Sequence, residues 1–220
     1  MVRDGIYYAA ALGGAGAILS FLFGPWWGLP FFIVGAFCLY FFRDPERSAP
    51  AGDVAVAPAD GRVVHLRERP EGGSRISIFL NIFNVHVNRS PVSGEVKAVE
   101  YQRGDFRMAH REAASEANEQ NTLRIQPTNE RSSEVVVRQI AGLVARRIVC
   151  YKRPGDRVEK GERIGLIKFG SRLDVLLGPE WDVTVAVGDS VQAGVTVLGR
   201  LAPKEQAIHE DAAEPATARS

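Results

Sequence analysis

The stretch "GLIKFGSRLDVLL", residues 165–177, sets two apolar runs of strand length around a central Gly170-Ser171. Read as one strand, it carries a glycine that weakens pairing and packs nothing, so that glycine asks for a reason. On either side lie two copies of one pattern. "PGDRVEKGERIGLI" (154–167) and "VGDSVQAGVTVLGRL" (187–201) share the frame G-D-x-V-x-x-G followed by an apolar strand. Each copy reads as turn, short strand, glycine turn, strand. The pair predicts two similar hairpins packed as a small sandwich or barrel, with the Gly-Ser bond between them.

The same signals continue toward the N-terminus. From residue 54 short apolar stretches, among them "VAVAPADGRVVHL", "RISIFLNIFNVHVNR" and "EVVVRQIAG", are broken by Gly, Pro, Asp and Asn. That spacing predicts a mostly β fold with minor α, a sandwich- or barrel-like core in which the twin hairpins resemble those of lipoyl and biotinyl domains. "RMAHREAASEANEQN" (107–121) is the exception and reads as a short helix or a loop. "RDPERSAPAGD" (43–53) is a linker, and the tail from 203 is too polar to pack. The expected organisation is a helical hairpin (1–47), a β domain (48–202) and a disordered tail (203–220).

The hairpin is read from charge. Residues 5–24 and 26–42 contain no charged side chain, and "GPWWG" between them reads as a turn with interfacial tryptophans. A helix needs roughly 20 apolar residues to cross a bilayer, and both runs are near that length. Arg3 stands before them, Arg43 and Arg47 after, which favours both ends on the cytoplasmic side of the cell membrane. A signal peptide is the poorer reading, because a second apolar run follows the first. Whether the helices cross fully or dip into one leaflet is left open.

Totals exclude other classes. With 27 Lys and Arg against 26 Asp and Glu, the net charge of +1 leaves no basic stripe for nucleic acid. Cys38 and Cys150 lie far apart, and His65, His86, His110 and His209 are scattered. Neither a disulfide framework nor a metal site is expected.

Three short stretches remain: "APADGRV" (57–63), "IFNVHVNRSPVSGEV" (82–96) and "KFGSR" (168–172). Singly each is ordinary; Asp-Gly is a turn dipeptide, and a histidine in an apolar strand is most often a satisfied core residue. In this order, with "ANEQN" and behind a hydrophobic N-terminus, they resemble the phosphatidylserine decarboxylase family in its short bacterial and archaeal-like form, over roughly residues 43–202. "KFGSR" is the most specific of them.

The resemblance implies that the Gly170-Ser171 bond is not meant to survive. Members of the family are proenzymes that cut themselves there, here giving a large chain 1–170 and a small chain 171–220 that stay together as a heterodimer. Ser171 would attack the carbonyl of Gly170, and β-elimination of the ester would leave a pyruvoyl group at position 171. That group is the cofactor, with neither metal nor pyridoxal phosphate. It would form a Schiff base with phosphatidylserine and serve as electron sink for decarboxylation to phosphatidylethanolamine. Asp60, His86 and Ser171 match a carboxylate–base–nucleophile set, and His86 is also the natural proton donor. The longer form of the family reads H-x-x-H-x-P; here Arg89 stands at the second histidine. Whether His86 serves maturation, decarboxylation or both therefore stays open. Arg89 suits an oxyanion of the substrate, or a salt bridge. Phe106 and Met108 are candidates for acyl-chain contact in a lid.

Two other readings are carried. A related decarboxylase could take the serine headgroup of archaeal-type ether lipids. A membrane-tethered carrier domain would use Lys168 between the repeats, although the usual residues around such a lysine are missing. Acyl-chain preference and further oligomerisation are not legible.

Overall fold

The computed structural model describes residues 2–104, 118–142, 148–167 and 171–202. Two helices come first, α1 (Arg3–Phe23) and α2 (Pro25–Phe41). Gly24, at φ +99°, makes the turn between them, and Pro25 opens α2 where a missing N–H costs nothing. Their contact is built on small residues: a Cβ on Gly28 would lie 2.3 Å from the carbonyl oxygen of Gly16. Close backbone approach of this kind suits helix pairing in lipid. Outward the pair is apolar and bare, with Phe21 90% and Trp26 80% exposed. By length and composition α1 is long and apolar enough to cross a membrane, while α2, at 17 residues, is shorter.

Fourteen strands follow in the described residues: β1 (Val54–Val56), β2 (Gly61–Glu68), β3 (Ser74–Leu80), β4 (Val87–Arg89), β5 (Gly94–Gln102), β6 (Gln120–Pro127), β7 (Val135–Ile140), β8 (Ile148–Cys150), β9 (Arg157–Val158), β10 (Arg163–Ile167), β11 (Ser171–Leu177), β12 (Trp181–Val183), β13 (Ser190–Val191) and β14 (Val197–Leu201). The mostly β expectation is met. An eight-stranded antiparallel sheet, ordered β13-β2-β3-β11-β7-β6-β5-β9, curls into a half-barrel, and two three-stranded sheets, β1-β14-β12 and β4-β10-β8, accompany it. Alternation explains the pairing. Ile76, Ile78 and Leu80 of β3 and Leu173, Val175 and Leu177 of β11 are fully buried, each contributing about 1.5–3 kcal/mol by leaving water.

Two expectations need correction. "GLIKFGSRLDVLL" is not one strand: β10 ends at Ile167 in a small sheet, and Ser171 opens β11 in the large one. Nor are the repeats lipoyl-like hairpins folded on themselves. In each copy the two-residue strand is too short to hold a hairpin. β9 and β13 instead pair with β5 and β2 at opposite edges of the large sheet. The longer strands, β10 and β14, become the centres of the two small sheets.

The repeat is nevertheless real and larger than the sequence suggests. Gly155 N–H donates to Val96 O and Gly188 N–H to Val63 O, both at 2.8 Å. A Cβ on Gly61 would sit 2.2 Å from Phe79 O, and one on Gly94 2.2 Å from Gln126 O. The β2–β3 and β5–β6 ladders are thus matching halves, with β11 and β7 between them.

The helix-or-loop reading of 107–121 lies mostly outside the described residues, although Gln120 and Asn121 already belong to β6. Phe106, Met108, Lys168, Gly170 and the tail from 203 also lie outside them.

Candidate active site

Strand register gathers the site residues at one end of the large sheet. Ser171 pairs with Leu80 and Arg172 with Phe79; on the far side of β3, Arg62 pairs with Phe79. Gly61 and Ser171 therefore flank Leu80 on adjacent strands, about 10 Å apart across two strand spacings. Asp60 directly precedes Gly61. His86 lies six residues beyond Leu80, and its carbonyl accepts from Ile167 N–H at 3.4 Å.

Ser171 is fully buried, and its hydroxyl has no hydrogen-bond partner among the described residues. A buried hydroxyl without a partner costs free energy, so its persistence points to use rather than to stability. Its side chain shares the core-facing side of β11 with Leu173, as alternation requires.

His86 is 2% exposed. Its Nδ1 lies 2.9 Å from the carbonyl oxygen of Asn84. A carbonyl only accepts, so Nδ1 carries the ring proton and Nε2 presents a bare lone pair. Nε2 is buried and has no hydrogen-bond partner among the described residues. The Phe41 ring stacks over the imidazole, 4.1 Å between centroids. Burial, with the Arg43 charge, pushes the histidine from 6.5 down to about 4, against the Asn84 hydrogen bond and the Asp60 charge. At neutral pH the ring is a neutral base.

Asp60 does not hydrogen-bond this histidine directly. Its carboxylate is clasped by Arg47, Nη1 to Oδ1 at 2.5 Å and Nη2 to Oδ2 at 2.9 Å, and Oδ1 also accepts from Ala193 N–H at 2.8 Å. Arg47 Nη1 donates further to Ala193 O. Arg89, 4% exposed, donates to Gly161 O, Asp44 Oδ1 and Pro45 O. Asp44 Oδ2 accepts from Arg163 Nε at 2.5 Å, and Glu46 from Arg163 Nη2 at 2.8 Å. The linker after the hairpin is thus laced to the β domain by charge.

A polar relay completes the wall. Asn121 Nδ2 donates to Gln139 Oε1 at 2.9 Å, and Gln139 Nε2 donates to Asn88 Oδ1 at 2.8 Å. Asn88 Nδ2 is buried with no hydrogen-bond partner among the described residues. Gly165 lies against this relay: a Cβ there would fall 2.2 Å from Val149 O and 3.1 Å from Gln139 Nε2. Arg172 and Asp174, both fully buried on the opposite face of β11, pair at 2.7 Å, and Arg172 also donates to Ser77 Oγ at 2.6 Å.

Phe41, Arg47 and the Asn88–Gln139–Asn121 relay were not legible as site residues. Phe41 reads as one more membrane-facing aromatic and Arg47 as linker charge. Asn88 stands inside the quoted "NVHVNR", but nothing there distinguishes it from an ordinary polar residue. Among the described residues, no group of three His, Cys, Asp or Glu is placed to hold a metal ion.

A family model described as phosphatidylserine decarboxylase matches residues 34–199. A phosphatidylserine decarboxylase proenzyme of Solibacter usitatus is 55% identical over 201 residues, covering 91% of this chain and 96% of that protein. Proenzymes of the same name from Magnetococcus marinus (40% identical; 93% of this chain, 97% of that one) and Nitrosomonas europaea (42%; 91% and 95%) are also similar. The matched region contains every described site residue, and the chain belongs to the phosphatidylserine decarboxylase family.

Proposed function

We propose that this chain is a self-cleaving proenzyme whose mature form decarboxylates phosphatidylserine to phosphatidylethanolamine at the membrane surface. The observation that carries the reading is a pair of buried atoms with no hydrogen-bond partner among the described residues, Ser171 Oγ and His86 Nε2. Family membership supports the reaction, the exposed apolar surface of α1 and α2 supports attachment to the cell membrane, and Arg3, Arg43 and Arg47 outside the apolar runs favour its cytoplasmic side.

In maturation, His86 Nε2 takes the hydroxyl proton as Ser171 Oγ bonds to the carbonyl carbon of Gly170. The nitrogen of residue 171 gains a proton and leaves, giving an ester. A base removes the Cα proton of residue 171, and the Cβ–Oγ bond breaks, freeing the Gly170 carboxylate. Water then converts the remaining dehydroalanine to a pyruvoyl group and ammonia. Asp60, held by Arg47, supplies negative charge that favours the imidazolium formed at His86.

The buried start of β11 fits a group made from Ser171 itself, since no outside molecule has to enter. When formed, the pyruvoyl carbonyl supplies an electron sink for the pair released as carbon dioxide departs. Around it His86 Nε2 is the group able to return a proton to the substrate carbon, and Phe41 excludes water. Phe106 and Met108 stay candidates for acyl-chain contact, whereas Arg89, buried and bonded to Asp44, Gly161 O and Pro45 O, is engaged in the salt bridge that its sequence position also allows.

Intact mass spectrometry of the purified protein beside Ser171→Ala tests the proposal. Two chains split after Gly170, the smaller starting in a carbonyl, are the expected result. A single uncut chain in lipid would refute it.

A further inference from the structure

The loop Asn81–Asn84, between β3 and β4, carries two large apolar side chains into solvent, with Ile82 43% and Phe83 60% exposed. It is not loose chain. Asn84 Oδ1 accepts from Asn81 N–H at 2.9 Å, Asn81 Oδ1 from Phe83 N–H at 2.8 Å, and Asn81 O from Asn84 N–H at 3.1 Å. Side-chain closure of this kind fixes a turn locally, so the outward direction of Ile82 and Phe83 is built in.

The loop is also tied to the base of the helical hairpin. Phe83 O accepts two hydrogen bonds, from Arg43 Nη2 at 2.7 Å and Tyr40 Oη at 3.3 Å. The Arg43 guanidinium lies 3.9 Å from the Tyr40 ring centroid. A tyrosine and an arginine at the end of an apolar helix are the residue types that settle at the headgroup level. On its other side the loop touches the site, since Asn84 O fixes Nδ1 of His86.

We propose that the Asn81–Asn84 loop is a second membrane contact, with Ile82 and Phe83 entering the headgroup–acyl boundary beside the end of α2. The occupant is the lipid surface rather than a protein, because the patch continues onto exposed Tyr40 and the hairpin. The contact holds the site against the layer that contains its substrate, and it bears on His86 through the Asn84 carbonyl. The inference rests on reading α1 and α2 as a membrane hairpin.

The test uses full-length protein in phosphatidylcholine vesicles brominated on the acyl chains. Single cysteines at Phe83→Cys, Leu22→Cys in α1 and Val187→Cys, each with Cys38→Ala and Cys150→Ala, carry a fluorophore. Quenching at 83 and 22 but not at 187 is expected. Quenching at 22 with 83 as bright as 187 overturns the loop contact and leaves the hairpin reading standing. Quenching at neither 83 nor 22 overturns both, and quenching at 83 alone removes the hairpin reading and with it the proposal that the loop is a second contact beside α2. The double variant Ile82→Ser, Phe83→Ser should cut itself normally but show a KM for vesicle lipid raised about three- to tenfold. An unchanged KM would count against the proposal.

Discussion

Phe41, the last residue of α2, lies face-on to His86, with ring centroids 4.1 Å apart and planes inclined by 34°. The element that reads as an anchor therefore forms a wall of the candidate site and sets the state of its histidine. Phe41→Ala should admit water and raise the His86 pKa from about 4 toward its ordinary 6.5. Histidine NMR would show the shift, and the acid limb of the pH–activity profile should move up with it. A His86 resonance that titrates near 6.5 in the wild type would contradict the structural account.

The same depression has a stability consequence. His86 prefers to be neutral when folded, so its contribution is fully present above pH 6.5 and is lost as pH falls through about 4. The difference amounts to roughly 3 kcal/mol. Denaturant melts of Ser171→Ala, with and without His86→Gln, should diverge across that window and run parallel above it.

Ser171→Ala itself removes a buried hydroxyl that has no hydrogen-bond partner among the described residues. Its loss should be neutral or slightly stabilising, within about 0.5 kcal/mol. Thermal melting against wild-type proenzyme isolated before scission checks this, and a large loss would mean that the hydroxyl holds the fold together.

Arg47→Ala leaves the Asp60 carboxylate with only the Ala193 N–H of the contacts described above. Breaking a largely buried pair of this kind costs about 3 kcal/mol, and chain scission should slow. Arg47→Lys should recover only part, because an ammonium cannot reproduce the two-pronged contact. Denaturant titration and the rate of chain splitting read the two effects separately.

Gly61→Ala would place a Cβ 2.2 Å from Phe79 O, whereas a Cβ on Gly155, at φ +90°, meets nothing within 4 Å. The first should abolish soluble folding. The second should cost about 1–2 kcal/mol of backbone strain. Expression and melting of the two variants side by side test the ladder described at β2 and β3.

Local signals made much of this protein legible. Apolar alternation and turn residues announce β2, β3 and β11, and two uncharged runs announce α1 and α2. Ser171 and His86 were read from motif order, and both side chains are buried. What local signals do not carry is partner choice. A two-residue strand such as β9 gives no hint that it pairs with β5 rather than with β10, because that depends on residues more than 60 positions away. Arg47 reads as solvated charge, and only the fold brings it to Asp60. The correspondence of β2–β3 with β5–β6 is hidden for a related reason: it rests on backbone contacts at Gly61 and Gly94 that many different side chains can frame.

β11 runs between β3 and β7, in ladder with both from its opening residues. Scission before Ser171 would thus make a chain terminus of a strand held on both sides, and the product would keep its shape without a covalent link. Such an object has lost its instructions for assembly. An uncut chain can find this topology as one molecule, but two separated pieces would have to meet and thread a middle strand into an already formed sheet. Maturation on this plan is a ratchet: it exchanges the ability to refold for an active group, and the lifetime of the mature protein becomes a matter of how slowly it opens.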